Sequence, residues 1–346
     1  MIELDGSKHS GSGTLVRFGV ALAALTRQAL RVVNARESRP KPGLAAQHVA
    51  AVRACAELCG AETQGVVVGA QSFEFVPGPQ IAGGERAWDI GTGGSATMLA
   101  LGVLPLACLA AGPLSVRISG GVFQDFAPSP HHLAHVLLPL LARMGATAEL
   151  EVLRPGYARG GEGLIELRVR PARSALASLV LQDPGVVSEV RGVALASHLA
   201  ERRVAERMSE SCVAELASRR LRARIAVVND ASAPRTGASL AVWAESSTGC
   251  RFGADRAGAP RRSSEAIGRF VADTLLEDLA SGATTDRHLA DQLVIFAALA
   301  EGVSDFSVPH VSAHVESNLW LAELFGARVR LDGTRVEIEG LGQRPR

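Results

Sequence analysis

A histidine with an asparagine four residues on, His314 and Asn318, opens an apolar-periodic segment near the end of the chain, and a group of cations stands near its beginning. An imidazole titrates at about 6.5, so its neutral form is a competent nucleophile or base at neutral pH. Arg17 falls on one apolar segment; Arg36, Arg39 and Lys41 share one loop; Gln47 and His48 follow on the first turns of the next helix. Guanidinium groups pair phosphate oxygens bidentately, and Gln and His partners add to the cluster. Two glycine-rich turns, residues 6–14 and 91–97, each lead into an apolar helix. A helix start offers unpaired N–H groups to an anion, and glycine lets the backbone approach it. Each feature also has a plainer reading: a solvated basic face, tight turns and caps, and a loop histidine that caps its helix, with His310 as a rival four residues earlier.

The elements that would position these residues repeat. An extended stretch, a loop, an apolar-periodic helix and a Gly-Ala turn recur at Leu30–Val33 with Gly60-Ala61, at Val116–Gly121 with Gly145-Ala146, and at Phe306–His310 with Gly326-Ala327. The first two Gly-Ala turns lie about 85 residues apart, too long for a solenoid repeat and suited to a repeated supersecondary unit. From 183 to 258 the texture changes to a strand, a long charged helix and two more strands, flanked by Pro184-Gly185 and by a stretch at 255–262 that reads as linker. The helix 264–279 then returns the chain to the main body. The expected fold is α/β of the α+β kind: a large domain (1–182 and 259–346) of three repeated βαβαββ-type units, with a smaller α/β domain (183–258) inserted before the third.

With 346 residues, 47% hydrophobic and 4% aromatic, the chain is long enough for two globular domains. Its net charge of +1 gives no overall basic field, so any polyanion has to be recognised by a local cluster. It has no apolar run of ~20 residues and Met1 leads straight into a short strand, so a cytoplasmic protein with no membrane partner is expected. The five cysteines form no C-x-x-C pair and no zinc spacing.

In order, the glycine-rich turn with Arg17, then Arg39-Pro40-Lys41-Pro42-Gly43-Leu44 with Gln47-His48, then Ile90 through Thr97, then Gly156 through Gly163, then Leu289-Ala290-Asp291-Gln292-Leu293, then Ser312-Ala313-His314 with Asn318, the motifs resemble those of the RNA 3′-terminal phosphate cyclase family over nearly the whole chain. The resemblance implies ATP-dependent conversion of an RNA 3′-phosphate end to a 2′,3′-cyclic phosphate. His314 would be the nucleophile, carrying AMP before it passes to the RNA end, which is covalent catalysis. It also implies ATP or phosphate contacts from Arg17, Arg36, Arg39, Gln47, His48, His288, Leu289, Ala290, Asp291 and Gln292, and a divalent metal, Mg or Mn.

Several positions depart from that family. Where the family usually has Glu-Gly-Gly-Gly-Gln, this chain has Ser10-Gly11-Ser12-Gly13-Thr14, and Ser10 cannot replace the charge of the metal-associated glutamate. His288 stands for a tyrosine, Leu101 for a glutamine associated with ATP, and Val122–Phe126 for an Asp/Asn-rich stretch. Three classes stay open: the active cyclase, an adenylyltransferase with another acceptor on the same scaffold, and a silent RNA-binding or assembly homologue. The family's silent nucleolar branch lacks the histidine, and the more distant enolpyruvyl transferase scaffold does not use one.

Overall fold

The structure, a computed structural model, describes residues 1–157 and 160–345. Its first unit runs β1 (Ile2–Asp5), α1 (Gly13–Thr26), β2 (Leu30–Val33), α2 (Ala46–Cys59), β3 (Glu62–Gln64) and β4 (Phe73–Val76). The sheet order is β1-β2-β4-β3, with β1 and β2 parallel and the other pairs antiparallel. The second unit runs β5 (Gly84–Asp89), α3 (Ala96–Cys108), β6 (Leu114–Gly120), α4 (Pro130–His132), a π-helical turn Leu133–Leu137, α5 (Leu138–Met144), β7 (Thr147–Arg154) and β8 (Gly163–Arg170). Its order, β5-β6-β8-β7, repeats the first, again with one parallel pair. A parallel pair needs a crossover, which α1 and α3 supply.

These crossover helices are apolar almost all round, and such a helix belongs in a core. In α1 every residue from Thr14 to Leu25 is buried, and in α3 every residue from Leu99 to Cys108. Each begins on a serine whose hydroxyl accepts an early amide, Ser12 from Thr14 at 3.3 Å and Ser95 from Met98 at 3.1 Å. At the other end, α2 and α5 stop on Gly60 and Gly145 with φ of 62° and 108°, the left-handed cap glycine tolerates.

The remaining elements are β9 (Val187–Ser197), a 3-10 turn Ala200–Arg202, α6 (Val204–Ser218), β10 (Arg222–Asp230), β11 (Gly237–Ser246), β12 (Arg251–Ala257), α7 (Ser264–Ala280), α8 (Leu289–Leu299), β13 (Val303–Ser307), α9 (Ala313–Leu324), β14 (Arg328–Asp332) and β15 (Arg335–Glu339). Strands β9 to β12 form the inserted sheet in the order β10-β9-β11-β12. Helix α7 packs on α6, β11 and β12. Arg207 grips Glu265 through two hydrogen bonds of 2.7 and 3.0 Å, and a Cβ on Gly268 would sit 2.6 Å from the Met208 carbonyl. The insert therefore extends to Ala280, past the boundary expected at 258. The stretch taken as linker begins with the end of β12, whose glycine and alanines hide the strand pattern.

The insert also falls inside the third unit and not before it. Among the described residues the sheet β13-β15-β14 has three strands. In the place matching β1 and β5, single parallel bridges join Ala177 to Glu301 and Val180 to Asp305, so the chain ahead of the insert lies along β13. One buried carboxylate bolts the parts together. Asp286 takes His132 Nε2 of α4 at 3.0 Å and the Gly253 amide of β12 at 2.8 Å, and its other oxygen accepts the His288 and Leu289 amides at 2.8 and 2.7 Å. Burial disfavours the charge on His132, yet Asp286 outweighs it and raises the histidine's pKa. Removing one partner of such a pair strands the other, so Asp286→Ala is expected to cost about 3–5 kcal/mol, read as a lowered urea midpoint. An unchanged midpoint contradicts that role.

Candidate active site

The N-termini of α1, α2 and α9 meet. Ser12, which caps α1, has its Oγ 3.4 Å from His314 Nδ1 on the first turn of α9. The Ser10 amide donates to Ser317 Oγ at 3.1 Å, Ser317 Oγ lies 2.7 Å from Ser10 Oγ, and Ser10 Oγ donates to Ser12 Oγ at 3.0 Å. Arg39 Nη2 donates to the Ser10 carbonyl at 3.2 Å, drawing the basic loop onto the same turn. Arg36, at φ 56°, braces that loop from within through the Lys41 and Gly43 carbonyls at 3.1 and 2.7 Å.

Gly13 explains how a ring and a guanidinium fit against the start of α1. A Cβ there would lie 2.0 Å from His48 Nε2 and 3.0 Å from Arg17 Nη1, so only glycine admits both. His48 Nδ1 accepts the Ala45 amide at 3.0 Å, which leaves the proton of the neutral ring on Nε2. Burial, then Arg17 and Arg36, push the His48 pKa down to about 2, so the ring is a neutral donor.

Arg17 is 5% exposed, and among the described residues no acceptor is hydrogen-bonded to its guanidinium. Desolvation brings its pKa down to about 10 in spite of Asp291. Asp291 is not within ion-pair distance of it, and burial pushes that carboxyl up to about 7. It is thus a weak counter-ion near neutrality. His314 is open to solvent on one side, but desolvation, then Arg39, Arg17 and His288, hold its pKa below the ordinary value.

His314, Arg17, Arg36, Arg39, His48, His288 and Asp291 are therefore close enough to sense one another. Gln47 is engaged elsewhere: its Oε1 accepts the Ser95 amide at 3.0 Å, tying α2 to the second glycine turn. Leu289 and Ala290 are 0% and 1% exposed and point into the core, as does Leu101. Gln292 is buried with its Oε1 unpartnered among the described residues. Of the Gly156–Gly163 run, Ala158 and Arg159 lie outside the described residues. The sequence reading missed Ser12, Ser317 and the His132–Asp286 pair. Thr284-Thr285-Asp286 ahead of α8 is a legible capping signal; nothing local marks His132.

These features define an α/β protein of repeated units whose helix starts converge on a largely buried cationic cluster with a neutral imidazole, a combination chemically suited to anions. The family model for RNA 3′-terminal phosphate cyclase matches residues 8–331. The chain is 39% identical over 338 residues to the RNA 3′-terminal phosphate cyclase of Methylococcus capsulatus, covering 95% of this chain and 92% of that one. Against the proteins of the same name from Methanopyrus kandleri and Archaeoglobus fulgidus the identities are 37% over 331 residues and 36% over 347. Those alignments cover 94% and 98% of this chain, and 93% and 100% of theirs. The chain belongs to the RNA 3′-terminal phosphate cyclase family. A solved enolpyruvyl transferase, NikO from Streptomyces tendae, is 13% identical with a TM-score of 0.41, covering 99% of this chain and 50% of that one.

The cationic cluster offers few oxygen ligands to a divalent cation. Among the described residues no three of His, Cys, Asp and Glu converge as a metal site. Ser10, whose amide and hydroxyl face Ser317 and Ser12, stands where the resemblance expects a metal-associated glutamate, with Arg39 on its carbonyl. Hard cations seek carboxylate oxygens. No helix of the described residues is long and apolar enough to cross a membrane.

Proposed function

We propose that this chain uses ATP to convert an RNA 3′-terminal phosphate to a 2′,3′-cyclic phosphate through AMP carried on His314. The observation that carries this reading is Arg17, a buried guanidinium whose donors find no acceptor among the described residues. A buried unpaired cation is costly, and an anionic ligand is what would complete it. Phosphate oxygens suit Arg17, Arg39 and the Nε2–H of His48 together.

In the first step His314 Nε2 attacks the α-phosphorus of ATP. A P–N bond forms, the bond to the bridging oxygen breaks, and pyrophosphate leaves. Ser12 Oγ, beside Nδ1, is placed to take that atom's N–H and so free the Nε2 lone pair. An oxygen of the RNA 3′-phosphate then attacks the same phosphorus and the P–N bond breaks. The RNA 2′-hydroxyl finally attacks its own 3′-phosphorus, AMP departs and the hydroxyl proton passes to water. Charge developing on the phosphates is met by fixed cations and donors, which need no reorganisation. Asp291, Gln292, Leu289 and Ala290 would shape the floor of the site through α8.

The test follows the RNA end. A 5′-labelled RNA with a 3′-phosphate should become phosphatase-resistant only when ATP is present, and mild acid should open the product to a monophosphate. An end that stays phosphatase-sensitive while the chain becomes labelled would move the activity to another acceptor.

Because the nucleophile is the neutral ring, kcat/KM for ATP should fall as pH drops through the free enzyme's His314 pKa. The depressed pKa puts that inflection below about 6.5. Arg39→Ala removes a nearby cation and should move it upward. An inflection at or above the ordinary value in the unmodified protein contradicts this assignment. Ser10→Glu is expected to make labelling by ATP respond more steeply to added Mg; identical titrations for both proteins would show that Ser10 does not mark a weakened metal position.

A further inference from the structure

Phe126 stands 103% exposed, further out than any other large apolar side chain among the described residues. Its φ is 67°, in the left-handed region that bulky residues rarely adopt. The loop beneath it is held on both sides. Asp125 receives Arg262 through Nη1 and Nη2 at 3.2 and 2.8 Å and faces Arg256 Nε at 3.4 Å, while the Val122 and Phe123 amides donate to the Gly156 carbonyl at 3.0 and 2.8 Å. A braced loop thus presents an aromatic ring to water, with a strained backbone and no internal contact in return.

The base of this loop is tied back to α2, the helix that carries His48. The Gly121 amide donates to the Gly94 carbonyl at 2.7 Å, and Ser95 of that second glycine turn is bound by Gln47 of α2. On the far side of Arg262 a groove of about 540 Å³ runs between the insert's β11 and the start of α7, lined among others by Arg202, Thr236, Arg261 and Ser263. Arg202 and Arg261 are exposed and have no ion-pair partner among the described residues.

We propose that this surface holds the RNA strand upstream of its 3′-phosphate, with Phe126 stacked on a base near the end and Arg261 and Arg202 on backbone phosphates. The inference rests on the reading of an RNA end as substrate. Every base offers a π face, so an aromatic platform beside a basic groove binds single strands whatever their sequence. It also adds a second local basic track to a chain whose net charge is only +1.

The experiment uses the full chain and a 3′-phosphorylated oligoribonucleotide of about a dozen nucleotides, with a matched series carrying an abasic site at each of the last few positions. Phe126→Ala is expected to raise KM for the intact RNA about tenfold or more, whereas Phe126→Trp keeps it low. One abasic RNA should show the same loss with the unmodified protein and no further loss with Phe126→Ala. The joint Arg202→Ala, Arg261→Ala variant should flatten the dependence of log KM on log salt by about 0.7 per arginine. Labelling by ATP alone, which involves no RNA, reports whether each variant is folded. An unchanged KM for RNA in a Phe126→Ala protein that still labels overturns the proposal. If the unmodified protein neither labels nor cyclises, the functional reading is what fails. Fluorescence anisotropy on the same RNA then decides about Phe126: about tenfold weaker binding supports the platform, and equal binding overturns it.

Discussion

His314→Ala is expected to abolish transfer of label from α-labelled ATP to the chain while leaving the fold standing. The side chain stands on the first turn of α9, open to solvent on one side, and its one hydrogen bond among the described residues is the 3.4 Å contact with Ser12 Oγ. The helix does not need it: Ser312 caps α9 by accepting the Val315 amide at 3.2 Å, and Asn318 anchors α9 to α8 through the Asp291 carbonyl at 2.7 Å. Truncation therefore removes the nucleophile and little else. The measurement is label retained after denaturing electrophoresis, with a urea midpoint as control. A variant that labels like the unmodified protein transfers the role to the exposed His310 nearby.

Arg17→Met should lower kcat/KM for ATP by about two decades and yet leave stability unchanged or higher. The two effects have opposite signs for one reason. In the free protein the guanidinium is buried without a hydrogen-bonded acceptor among the described residues, and an apolar side chain of similar length relieves that cost. With phosphate bound, the lost charge-assisted bonds amount to about 3 kcal/mol, which is about a hundredfold. The stem already packs on α3, where a Cβ on Gly102 would lie 3.4 Å from Arg17 Cδ, so methionine has a place to sit. Arg53, whose Nη2 donates to the Val66 carbonyl, is the comparison: Arg53→Ala should alter neither quantity much. Equal, small losses at both positions would favour a merely solvated basic face.

Much of this was legible in the chain because the signals are local. Apolar runs such as Leu15–Leu25 and Leu99–Cys108 announce buried helices, the Gly-Ala turns mark where helices stop, and the loop from Arg36 to Lys41 lies where a basic loop was read. What escaped depends on residues far apart in sequence. Ser10 and Ser317 meet across 307 positions, and His132 finds Asp286 across 154, so neither pairing leaves a pattern in any window. Helix α7 looked like a return to the main body because its amphipathic pattern does not say which sheet its apolar face covers. Leu289, Ala290 and Gln292 share a motif with Asp291, but α8 is buried nearly all round and of its residues Asp291 alone is not fully buried. A contiguous motif can thus hold residues of the site and residues of the core together.

Mass spectrometry of the chain after incubation with ATP alone tests the central claim most directly. The account predicts a single added adenylyl group, stable to alkali and labile to acid as a phosphoramidate is, on the peptide that contains His314. An adduct on any other residue, or RNA ends cyclised by a chain that never carries one, would contradict it.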